Sequence, residues 1–113
     1  TFTLKVNLHL TNCKISGTVT TSAGTYSFPA DGSLSMDVPI QDGDTAIMEG
    51  AILTDPQGME LIDMTITKGG EIIYQNRAVA QPAIVNQTFE RITANTEVTI
   101  EATGYYEDKP PRQ

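Results

Sequence analysis

Tryptophan is absent from this 113-residue chain, which holds one cysteine, one histidine and seven basic residues. Each scarcity removes a class of function. One thiol, Cys13, makes no intrachain disulfide, no Cys-x-x-Cys redox pair and no zinc cluster; in a half-apolar stretch it reads as a small hydrophobe. Nucleophilic hydrolysis needs a base beside a Ser or Cys, and the lone His9 falls on the polar face of an alternating strand. No G-x-S-x-G elbow, H-E-x-x-H pair or glycine-rich phosphate loop is present. The expectation is therefore a protein that is not an enzyme, with no catalytic residue and no cofactor.

Seven Lys and Arg against fourteen Asp and Glu give a net charge of −7. A sequence pI near 4.4 leaves no clustered positive charge for a phosphate backbone and no polybasic stretch for an anionic membrane surface. No apolar run approaches the ~20 residues of a membrane-spanning helix. Nucleic acid and membrane insertion are set aside as partners. With 6% aromatics, a flat stacking platform for sugar rings is hard to build.

The acids themselves are unspecific, since fourteen always offer some pair at a glycosidase-like spacing. Asp42-Gly43-Asp44, with Asp31, Asp37 and Glu49 nearby in sequence, is the best oxygen cluster for calcium. It lacks the ligand spacing of an EF-hand, so turn formation is the reading and no metal site is assigned. Asn86-Gln87-Thr88 matches the N-glycosylation triplet, which matters in a secreted eukaryotic setting.

What is plentiful is β-branched: Ile and Val number 17 against 6 Leu, beside 16 Thr. Such residues are stiff at χ1 and fit a pleated surface. Phe2, Leu4, Val6, Leu8 and Leu10 alternate with Thr3, Lys5, Asn7 and His9, the cleanest strand in the chain. Period-2 alternation predicts further strands over 14–20, 26–28, 33–38, 59–67, 71–77 and 96–106, separated by Gly-, Pro- and Asp-bearing turns. Residues 45–53 are apolar on both faces except at Glu49, which predicts a strand covered on both sides or placed at a subunit contact. Residues 78–88 show no dependable period and contain Pro82; the expectation there is a packed loop with a short edge strand at 83–85, followed by a short strand at 89–92. No window carries the i, i+3, i+4, i+7 pattern of an amphipathic helix.

These features predict an all-β fold: one antiparallel β-sandwich, immunoglobulin-like or jelly-roll, of seven to nine strands without substantial helix, with a small barrel as runner-up. The domain spans 1–106, and 107–113 has the composition of a tail or linker. Thr1 is preceded by no initiator Met and followed by no signal-peptide pattern, as expected of a mature form or an excised domain.

Five apolar residues in strict alternation form a segment that must pair with a sheet, its own or a neighbour's. In pattern, that N-terminal strand and the closing Thr99-Ile100-Glu101-Ala102-Thr103-Gly104-Tyr105 resemble pilus and fimbrial subunits, whose N-terminal strand completes the next subunit. The likeness covers less than a fifth of the chain, and residues 42–87 carry no such pattern; small β-sandwich decoration proteins of virions are similar in composition. The resemblance implies a structural module making protein contacts, by self-association or in a larger assembly, in an extracellular polymer or at a virion surface. Its candidate interface residues are Phe2, Leu4, Val6, Leu8, Leu10, Tyr105 and Tyr106. The alternative is an adhesive domain that recognises a glycan or receptor through loops around Tyr26, Tyr74 or Tyr105.

Overall fold

A computed structural model describes residues 1–29, 35–55 and 58–107. Nine strands form two packed sheets: β1 (Phe2–Thr11), β2 (Cys13–Thr21), β3 (Gly24–Ser27), β4 (Ser35–Ile40), β5 (Asp44–Thr54), β6 (Leu61–Lys68), β7 (Glu71–Ala80), β8 (Ala83–Ile92) and β9 (Thr96–Tyr105). The five-stranded sheet runs β4-β1-β9-β6-β7 and the four-stranded sheet β3-β2-β5-β8. The expected all-β sandwich is the fold. Among the described pairings all are antiparallel except β1 with β9, which run parallel from Leu4 opposite Thr96 to Thr11 opposite Thr103. First and last in the chain, these two strands have no short turn to impose the antiparallel sense.

The alternation read in the sequence is the alternation of burial. Leu4, Val6 and Leu8 of β1 meet Val98, Ile100 and Ala102 of β9 and Ile62, Met64 and Ile66 of β6 in a core closed from the other sheet by Ile15, Val19, Met48, Ile52, Val85 and Phe89. At about 25 cal/mol per Å² of apolar surface removed from water, side chains of this size contribute on the order of 2 kcal/mol each. Gly17 and Gly50 lie opposite one another on the inward side of β2 and β5, where a Cβ on Gly17 would collide with the Glu49 carbonyl oxygen and one on Gly50 would lie 2.8 Å from the Ser16 carbonyl. The buried Phe28 ring packs over Gly50, and the Phe28 backbone N–H donates to Gly17 O at 3.0 Å.

Asn12 alone separates β1 from β2 and carries the chain from one sheet to the other at φ 55°. Its Nδ2 donates to Gly104 O, and Asp55 N–H donates to its carbonyl at 2.9 Å. A Cβ on Gly104 would lie against that carbonyl, so the crossing needs glycine there. Gly69 and Gly70, at φ 58° and 85°, form the two-residue turn between β6 and β7 that the Lys68-Gly-Gly sequence predicts.

The loop expected over 78–88 is instead the end of β7 and one continuous strand, β8, running to Ile92. Pro82 precedes the strand in a cis peptide and interrupts nothing. Two features hide β8's period: Gln87 occupies an inward position between Val85 and Phe89, and Arg91, at φ 55°, adds a residue before Ile92. Gln81 secures the crossing into β8, accepting from Thr54 N–H at 3.0 Å and donating to Met59 O at 3.2 Å. The turn expected at 29–32, Leu34 and Asp31, the middle of the 55–58 turn and most of the 107–113 tail lie outside the described residues.

Candidate functional site: the outer face of the four-stranded sheet

β5 is one of the two inner strands of its sheet, and its two faces have different fates. Ala46, Met48 and Ile52 point into the core, whereas Ile47 and Leu53 are exposed, Leu53 by 40%. Ala51 stands opposite Ser16 on β2 and Ile84 on β8, and Ile84 is 56% exposed. Ala51, Leu53 and Ile84 thus make an apolar patch on the outside of the sheet, with Ile47 four residues along β5 past Glu49. This is the second face of 45–53 that the sequence shows as apolar, and no described element covers it. Its flank is concave: a depression of about 380 Å³ is lined by Lys14, Ser16, Gly17, Phe28, Ala51 and Leu53.

At the same end of the sandwich, Leu53 and Gly58 line an adjoining depression with Lys14, Thr54 and Gln81. The ring of Tyr106, 58% exposed, lies 3.5 Å from where a Cβ of Gly58 would be. Tyr106 therefore belongs to the apolar end of the molecule through structure, not through any period in the sequence. Asn86 and Thr88 are both exposed on the outer side of β8, beside Ile84.

The other sequence candidates are placed differently. Leu4, Val6 and Leu8 are fully buried in their own chain, and Phe2 and Leu10 are half-buried along the same strand. β1 lies between β4 and β9, paired on both sides. Neither Tyr105 nor Tyr106 joins the core, because Gly104 takes the last inward position of β9. Tyr105 lies on the outer side of the five-stranded sheet, where its hydroxyl donates to Asp63 Oδ1 at 2.9 Å. The same carboxylate oxygen accepts from Ala78 N–H at 2.8 Å, closing the bulge that Ala78 makes at φ 55°. The bond to Asp63 raises the Tyr105 pKa above its ordinary value.

Tyr26 on β3, Tyr74 on β7 and Tyr105 on β9 sit on strands that are not neighbours, so they form no common aromatic cluster. His9 is exposed on β1, opposite Glu101. Asp44 spends its carboxylate on the fold, accepting from Ser22 Oγ at 2.7 Å, Ser22 N–H at 3.3 Å and Thr45 N–H at 2.7 Å. The Ser22 hydroxyl, first among these, holds its pKa below the ordinary value. Among the described residues no group of three or more His, Cys, Asp or Glu is placed to hold a metal ion, and no helix is long and apolar enough to cross a membrane. Cys13 is half-buried against Gly104 and Thr54, and burial pushes its thiol pKa up to about 11. The chain matches no protein-family model, no curated protein and no solved structure.

Proposed function

We propose that this chain is a non-catalytic structural module that works by protein contact, within an extracellular polymer or a virion shell, using the outer face of the four-stranded sheet. One observation carries the reading: Ile47, Ala51, Leu53 and Ile84 point away from the core on the sheet whose inner face alone the fold requires. Apolar residues on an outer strand face, with Lys14 and Asn86 beside them and Glu49 between Ile47 and Ala51, are the composition of a contact surface. The net charge of −7 keeps copies apart elsewhere, so contact is confined to patches that carry little charge.

The test is absolute mass by light scattering from micromolar to millimolar protein, on the full chain and on Leu53→Asp. The module reading expects a mass that rises with concentration in the full chain and stays at the monomer value in Leu53→Asp, both with unchanged circular dichroism. Equal behaviour of the two chains removes the outer face from the function.

A further inference from the structure

Five asparagines are spread over the chain, and the triplet Asn-x-Ser/Thr occurs at one of them, Asn86-Gln87-Thr88. The structure sets the same asparagine apart from the other four. Asn7 Nδ2 donates to Glu97 at 2.7 Å, Asn12 Nδ2 to Gly104 O, and Asn76 Nδ2 to the Tyr74 hydroxyl at 3.3 Å, while Asn95 Oδ1 accepts from Thr3 N–H at 3.0 Å. Each of these side chains serves the fold. Asn86 is exposed, and among the described residues its amide meets no hydrogen-bond partner; the exposed Thr88 hydroxyl is equally unengaged.

Strand geometry places the two groups together. Residues two apart on a strand share a face and lie about 7 Å apart, so Asn86 and Thr88 both stand on the outer side of β8, with the exposed Ile84 next in the same row. Gln87 between them is not proline, which would disqualify the triplet. Among the described residues β8 is an edge strand that pairs with β5 alone, so no strand beyond it limits the room for a bulky group. Such a group on the Asn86 amide displaces no contact of the fold.

We infer that Asn86 is an acceptor for an N-linked oligosaccharide, with Thr88 supplying the hydroxyl that completes the acceptor. The donor is an oligosaccharide carried on a lipid diphosphate. The Asn86 amide nitrogen attacks the anomeric carbon; the N–C bond forms as the C–O bond to the diphosphate breaks, the lipid diphosphate leaves with that electron pair, and the amide gives up one proton. This inference rests on the extracellular placement in the contact-module reading, and it narrows the contact surface. A glycan on Asn86, bulky and hydrated, occupies the β8 side of the outer face beside Ile84. Lys14 and Ser16, which line the depression from β2, are two strand spacings or about 10 Å away, so that side of the face stays open.

The test is to secrete the chain from eukaryotic cells behind a cleavable leader and weigh it intact, beside Asn86→Gln, Thr88→Ala and Thr88→Ser, with circular dichroism verifying that each is folded. The expected result is a mass above the bare 12.2 kDa that returns to it on digestion with a glycan-releasing amidase. Asn86→Gln and Thr88→Ala should be bare, and Thr88→Ser, which keeps the hydroxyl, should keep the glycan. A folded, secreted chain of bare mass overturns the acceptor, as does a glycan that survives Asn86→Gln. Light scattering on the same preparations, beside Leu53→Asp, tells this failure from that of the contact face. A bare chain whose association is lost in Leu53→Asp overturns the acceptor alone. A glycosylated chain that stays monomeric with and without its sugar keeps the acceptor and overturns the contact face.

Discussion

The two sheets bury their inner faces alike and finish their outer faces differently. On the five-stranded sheet Ile72 and Ile73 are exposed along the edge strand β7, but across the outer face of its other strands polar neighbours satisfy one another. Lys5 stands opposite both Asp37 and Glu97, Asn7 Nδ2 donates to Glu97 at 2.7 Å, Gln75 donates to Thr65 at 3.2 Å, and Tyr105 is tied to Asp63. Outside the four-stranded sheet, Ile47, Ala51, Leu53 and Ile84 have no polar atoms on their side chains to exchange. Alternation dictates that every second residue points outward; only the identity of the outward residues decides whether a face is complete in the single chain.

Inner positions are where substitution breaks the molecule. Val6→Asp puts a carboxylate at a fully buried site of a strand paired on both sides; it is expected to cost about 3–5 kcal/mol and to abolish the folded state in a denaturant titration. Retention of the native melting curve would sink the claim that this face packs. Gly17→Ala comes next, because its Cβ meets the β5 backbone rather than a movable side chain. Overpacking of this kind costs about 1–3 kcal/mol, while outward Ser16→Ala on the same strand should stay within about 0.5 kcal/mol.

Smaller still is the effect of alkaline pH, which probes the polar face and the sheet crossing together. Burial lifts Cys13 from 9.0 to about 11, and the bond to Asp63 lifts Tyr105. A raised folded pKa means that the native state favours the protonated form. The stabilisation is thus complete below the unfolded pKa and is lost as pH rises through the folded value. Melting temperature should fall from about pH 9 upward, and less steeply in Tyr105→Phe. The smallest effect is the sharpest for the comparison: Leu53→Thr and Ile84→Thr should leave monomer stability within about 1 kcal/mol, since these side chains lie outside the core and are 40% and 56% exposed. A loss of several kcal/mol in either would make the outer patch part of this chain's own packing.

Much of this was legible in the sequence because period 2 is both the signal of a strand and the cause of its burial. Residues 2–10 and 96–106 showed their inward residues directly, whereas 45–53, apolar on both faces, showed a second apolar face without telling which one is inward. β8 was hidden because Gln87 sits where the pattern needed an apolar residue and Arg91 shifts the phase by one. Tyr106 reaches the apolar end only through the fold, as neighbour to Gly58 across the chain, and no spacing encodes that. Nor does spacing reveal which strands become edges: Ala83 to Phe89 is open because the sheet stops there.

The parallel pairing of β1 and β9 gives the molecule a mechanical grain. A pull on the start of β1 and the end of β9 acts in opposite directions along adjacent strands whose register holds from Leu4–Thr96 to Thr11–Thr103. Such a load slides one strand along the other and strains the whole ladder at once, where an antiparallel terminal pair would unzip bond by bond. A chain built this way resists tension along its length.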